Sequence, residues 1–187
     1  MIPRPQPIKL GIALQFFLFI FIAMTIGCGP SNHVLRPEKI TPEQINLVKT
    51  HQGNVLLMVD GGWEEAILAL QLMPNSAVKA ALEAAVEESR LFENITAEGS
   101  ADYCLAAFIY DIDQPLMGGT GTVAVEMAWS LTNLRTDTLI WRESIETTHT
   151  ASPKTMMSLR EKSNLAAETA TKENIKIAIE RISELQL

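Results

Sequence analysis

Cys28 and Cys104 are the two thiols of this chain, and their settings differ. A thiol can act as a nucleophile, a metal ligand, half of a disulfide or a site of acylation. Cys28 closes Thr25-Ile26-Gly27-Cys28 at the end of a long apolar run, whereas Cys104 sits inside a strand-like stretch, Asp102 to Asp113. A cysteine in the second setting packs as a small apolar group. His33, His51 and His149 are far apart in sequence, and none has a second ligand at metal spacing, so neither a metal nor another cofactor is expected. Asp111 and Asp113 alternate along a strand and could share a face, as paired carboxylates must for acid–base work. They also stand at a strand end just before Pro115, where solvated charge is ordinary. Gly118-Gly119-Thr120-Gly121 could cradle a phosphate, but a strand follows it in place of a lysine or a helix start, so a turn is expected. Ser130 and Ser144 lack a G-x-S-x-G setting. Asn94-Ile95-Thr96 matches a glycosylation acceptor by pattern alone. No nucleophile, base and orienting group line up, and no enzymatic activity is expected.

Cys28 is the exception, because everything before it is organised around it. Arg4 and Lys9 are the only charges ahead of an apolar run from Leu10 to Ile26, which ends on the small Gly27. A basic start, an apolar middle and a small residue at the cut are the three parts of a secretory leader. Followed directly by a cysteine, the pattern resembles the lipobox of bacterial lipoproteins, with Thr25 where that pattern usually has leucine. The resemblance implies that residues 1–27 are removed, that Cys28 receives diacylglycerol, and that its new N-terminus is acylated. Gly29, where an aspartate would signal inner-membrane retention, implies an outer-membrane destination on the periplasmic side. The alternative is a signal anchor, never cut, that holds the chain in the inner membrane; the run is about long enough to cross a thin bilayer as a helix.

The leader carries two of the 15 basic residues and none of the 22 acidic ones, which leaves residues 28–187 with a formal charge of −9. That balance excludes nucleic acid as a partner and disfavours anionic lipid surfaces. Acyl chains would have to hold such a domain at a bilayer, and stable anchoring takes more than one. With Cys28 lipidated, Cys104 has no partner for a disulfide within the chain.

The elements that follow must position whatever the domain binds. Residues 28–53, with Pro30, Pro37 and Pro42 and little periodicity, read as a flexible tether, with a short helical turn possible at Thr41-Pro42. Val55 to Val59 is a continuous apolar run that predicts a buried strand, and 63–73 is ambiguous between helix and strand. Ser76 to about Ile95 predicts an amphipathic helix through Val78, Leu82, Ala85, Ser89 and Phe92, capped by Asn75 or Ser76. Asp102 to Asp113 is apolar on both faces and predicts a central, covered strand. Thr122 to Asn133 alternates, with Val123, Val125, Met127, Trp129 and Leu131 to one side. Leu139 to about Thr150 puts Leu139, Trp141 and Ile145 on one face, after a hairpin loop at 133–137. A helix from about Lys154 to Leu185 ends the chain, with alanines in its first half that would let it lie close to a sheet. The order predicts one α+β domain, 54–187: a two-layer sandwich of two amphipathic helices on a mostly antiparallel sheet of about four strands. Trp129 and Trp141 fall on adjacent strands, where core packing is the default; a groove for an acyl chain or a partner helix is the alternative.

The region from about 55 to 185 also resembles a family of uncharacterised Gram-negative lipoproteins. The likeness rests on Val59-Asp60-Gly61-Gly62, on Ala80-Ala81-Leu82 running to Leu91-Phe92, and on Ala101-Asp102-Tyr103-Cys104-Leu105 with Gln114-Pro115-Leu116. It ends in Ala166-Ala167-Glu168 and Lys172-Glu173-Asn174-Ile175. The family has no firm activity, and the acyltransferase names of some members do not transfer. The element order is similar, as fold-level analogy, to LptE- and PqiC-type auxiliary lipoproteins of envelope systems. What these resemblances imply is a non-enzymatic binding component of an envelope transport or assembly system, attached to the lipid bilayer through Cys28 and meeting an envelope protein partner. An envelope hydrolase or acyltransferase is the alternative.

Overall fold

Residues 35–62, 73–97, 99–113, 121–152 and 158–187 are described by a computed structural model. The leader, Cys28, His33, the ambiguous 63–72 stretch and the glycine turn before Gly121 lie outside the described residues.

The elements are α1 (Pro37–Ile40), β1 (Asn54–Asp60), α2 (Asn75–Ser89), β2 (Asn94–Ile95), β3 (Tyr103–Asp113), β4 (Thr122–Asn133), β5 (Thr138–Thr150) and α3 (Leu159–Glu184). The strands form one open sheet in the order β2-β1-β3-β4-β5. The long β3–β4–β5 pairings are antiparallel, while β1 runs parallel to both neighbours. α2 supplies the crossover that parallel strands require. The predicted α+β two-layer architecture is present, with the two-residue β2 as a fifth strand. Both long helices pack against one face, α2 on β1 and α3 on β4 and β5. No helix among the described residues is long and apolar enough to cross a membrane.

The core lies between that face and the helices. Val55, Leu57, Leu105, Ile109, Val125, Met127, Trp129 and Leu131 meet Val78, Leu82, Val86, Ile175, Ile179 and Ile182, all at most 2% exposed. The alternation read in β4 is the one observed: each of its predicted inward residues is buried. Ala166, Ala167 and Ala170 are buried as well and bring α3 close to the sheet. α3 starts at Leu159, later than expected. Ser158 is extended and forms a capping box: its Oγ accepts from Glu161 N–H at 3.3 Å, and Glu161 Oε2 accepts from Ser158 N–H at 2.8 Å. α2 stops six residues short of the expected Ile95, because Arg90 turns left-handed (φ 56°) and ends the helix. Phe92 is still buried, though from the turn that follows and not from the helix stripe. Neither Asn75 nor Ser76 is the cap; Asn75 Oδ1 instead accepts from Gly62 N–H at 2.7 Å.

Three further expectations are corrected. The tether does not extend to residue 53: Leu35 and Ile40 are at most 1% exposed, and Ile45 and Leu47 pack against the core. This strap is fastened to the last turn of α3. Asn46 N–H donates to Glu180 Oε1 at 2.9 Å, Val48 N–H to Ser183 Oγ at 3.0 Å, and His51 Nε2–H to the Ile182 carbonyl at 2.8 Å. Among the described residues, β1 and β3 are covered on one face only, since both long helices lie on the same side of the sheet. Finally, Leu139 does not share a face with Trp141 and Ile145. A bulge in β5 pairs Leu131 with Trp141 but Thr132 with Leu139, so Ile140 is the extra residue and Leu139 turns to the other side.

Asp102 ties the ends of three strands together. Its carboxylate accepts from Asn54 N–H at 2.8 Å and from Arg135 Nε–H at 2.6 Å, and these two donors hold its pKa below the usual carboxylate range.

Candidate functional site

The residues singled out by type scatter when placed in the fold. His51 is 7% exposed and packs against the Phe92 ring, with centroids 5.5 Å apart. With the Ile182 carbonyl on Nε2, the neutral ring carries its proton there. It borders an open cleft of about 560 Å³ that also involves Glu87, Arg90 and Glu93. His149 is half-buried on β5, far along the sheet from His51. Cys104 is half-buried on β3, and burial pushes its thiol pKa up, which suits a structural thiol and not a nucleophile. Trp129 is 1% exposed, and its indole N–H donates to Asn174 Oδ1 at 2.8 Å. Trp141 pairs with Leu131 and packs against the core. Both indoles therefore sit on the helix-covered side. Gly121, the described end of the glycine turn, has φ +76° and opens β4.

His51 makes stability depend on pH. Burial lowers its pKa, the Ile182 carbonyl opposes that shift, and the Lys49 charge adds to it. A folded pKa below the unfolded one means that the unfolded chain binds the proton more tightly. The neutral ring's contribution is therefore present above about pH 6.5 and is lost as pH falls through the lower folded value. Thermal melts between pH 7.5 and 5 should show the midpoint falling on acidification, with a shallower fall in His51→Gln. Parallel pH dependences in the two proteins would refute the assignment.

What the fold does bring together is the uncovered face of the sheet, a feature that needs the strand register to be seen. One line across the strands reads Met58, Ala106, Ser130, Arg142. The line on one side reads Leu56, Cys104, Thr132, Leu139, and on the other Asp60, Phe108, Ala128, Ser144. Beyond these comes Asp111, Glu126, Glu146. Met58 (53%), Phe108 (47%) and Leu139 (55%) are exposed, which is high for large apolar side chains gathered on one face. They stand around a shallow trough of about 390 Å³, floored by the small Ala106, Ala128 and Ser130. β3 carries a bulge between Ile109 and Asp111 that leaves Tyr110 unpaired and 67% exposed at the margin. Asp111 and Asp113 are on this face, as expected of alternating residues, and the register adds Glu126 beside Asp111. Glu126 Oε1 accepts from Ser144 Oγ–H at 2.6 Å. The sequence signal for this face was the apolar outer side of β3, read as a sign of cover.

No protein-family model matches the chain, and no curated protein matches it. Among solved structures, the fold is similar to a Xanthomonas campestris protein of the DUF330 family, with a TM-score of 0.60 and 12% identity over 81% of this chain and 95% of that one. It is also similar to a hypothetical protein from Chlamydia trachomatis, with a TM-score of 0.55 and 10% identity over 71% of this chain and 96% of that one. A minor lipoprotein from Acinetobacter baumannii stands further off, with a TM-score of 0.46 and 10% identity over 70% of this chain and 92% of that one. At such identities the first two likenesses show the fold alone: this α+β sandwich is one that other bacterial proteins adopt.

Proposed function

We propose that the chain is a bacterial lipoprotein, anchored by acyl chains on Cys28 at the periplasmic side of the outer membrane. Its domain serves as a non-enzymatic binding component of an envelope transport or assembly system. The observation that carries the reading is the apolar run Leu10 to Ile26 closing on Gly27-Cys28. The domain's acidic balance supports it, since a chain of that charge would need acyl chains to stay at a membrane. An open sheet face bearing exposed apolar residues supports the binding role.

Palmitate labelling of cells producing the full-length chain tests the anchor. The wild-type protein takes up label and fractionates with outer membranes, while Cys28→Ala takes up none. Label that survives the substitution would refute the lipoprotein reading.

A further inference from the structure

We propose that the uncovered sheet face is the docking surface for an amphipathic helix of a partner protein, one whose apolar stripe is followed by lysine or arginine. The proposal deepens the binding role above by naming the chemistry of what is bound.

Two properties of the face define the occupant. The first is width. The trough's floor lies on β3 and β4, and its walls stand on β1 (Met58) and β5 (Leu139), so it spans three strand spacings. At about 4.8 Å each, that is about 14 Å. A helix with its side chains is about 10–12 Å across. One helix lying along the strands fits, with its apolar stripe over Ala106 and Ala128 and against Met58, Phe108 and Leu139.

The second is charge. The line of Asp111, Glu126 and Glu146 crosses three adjacent strands, so Glu126 has a carboxylate opposite it on either side. Like charges directly opposite in a sheet cost stability. Cations on a partner would offset that repulsion. The row lies four residues along β4 from Ser130, or about 13 Å. On a docked helix that distance is about two turns beyond the centre of the apolar stripe. Arg142 is the one cation among the register positions of this face, so a second copy of the chain stacked on it could not neutralise the row. Anionic lipid would be repelled by it.

The test places a photo-reactive benzoylphenylalanine at Phe108, or at Leu139, in the full-length chain in its own cell envelope. The control position is Leu165, exposed on the outer side of α3. Irradiation should give an adduct from the two face positions and none from Leu165. Mass spectrometry should map it to a partner segment with apolar residues at helical spacing and Lys or Arg about two turns on. Neutralising the row with Asp111→Asn, Glu126→Gln and Glu146→Gln should lower adduct yield about tenfold, and Glu146→Gln alone should lower it in part. An adduct on a second copy, on lipid, on residues 63–72 of the same chain or on a segment without basic residues would overturn the proposal. So would adduct yield no greater than at Leu165, or yield unchanged by neutralisation. Palmitate labelling of the same cells reads the anchor separately, so loss of the adduct with label intact defeats this proposal and leaves the lipoprotein reading standing.

Discussion

Replacing Asn174 with alanine is expected to lower the unfolding free energy by about 3–5 kcal/mol, because two or more buried polar groups would lose their partners at about 1–3 kcal/mol each. Asn174 is fully buried on α3 and uses both ends of its amide. Oδ1 accepts the Trp129 indole N–H at 2.8 Å, and Nδ2–H donates to the Ile145 carbonyl at 2.7 Å. The Val125 carbonyl and Thr147 Oγ1 each lie 3.3 Å from the same nitrogen. Thr147 Oγ–H donates in turn to the Ala170 carbonyl at 2.8 Å, so this polar seam joins α3 to β4 and β5. A half-satisfied network is worse than an apolar one. Trp129→Phe combined with Asn174→Leu removes donor and acceptor together and should cost clearly less than the two single changes summed. Urea unfolding of the four proteins measures that coupling. Additive losses would show that the indole–amide bond is not what fixes Asn174.

Gly61→Ala is expected to cost about 2–4 kcal/mol, combining a left-handed backbone with a steric collision. Gly61 follows β1 with φ +78°, and a Cβ there would meet the carbonyl oxygen of Ile109, with the Phe108 ring 3.1 Å away. The obstacle is backbone beside the β3 bulge and cannot swing aside as a side chain would. The clash should also disturb Phe108, so an environment-sensitive probe on the open face should report a change at temperatures where the variant is still folded. Gly99, with φ +92° but open space where a Cβ would point, is the comparison: Gly99→Ala should cost only the backbone part. Equal midpoint losses at the two positions would contradict the collision.

Much of the fold could be read from the residues themselves. β4 announced itself because strict alternation leaves one orientation for its side chains, and α3 because its alanines and isoleucines recur at helical spacing. The misreadings have local physical causes. The strap from Leu35 to His51 contributes buried residues one at a time, without a period, so its prolines dominated the reading. Leu139 changed sides because one extra residue at Ile140 inverts the parity of everything before it. Apolar residues on both faces of β3 predict cover on both; here one side meets helices and the other bears the trough. That face was the least legible feature. Met58, Ala106, Ser130 and Arg142 are 84 residues apart from first to last, and only the register sets them in one line. Asn174 was equally hidden, since a polar residue on a helix stripe carries no sign of the indole it serves.

The strap also sets a timetable. Asn46 and His51 stand near the start of the domain and the Glu180–Ser183 turn at its end, so the contacts that fasten the strap, 131 to 135 residues apart in sequence, form only when nearly the whole domain is in hand. Closing so long a loop is slow and comes late. The same fastening gives the finished molecule a fixed route from its N-terminal side to the end of α3: a pull on the strap reaches the C-terminal turn through three hydrogen bonds before it reaches any strand.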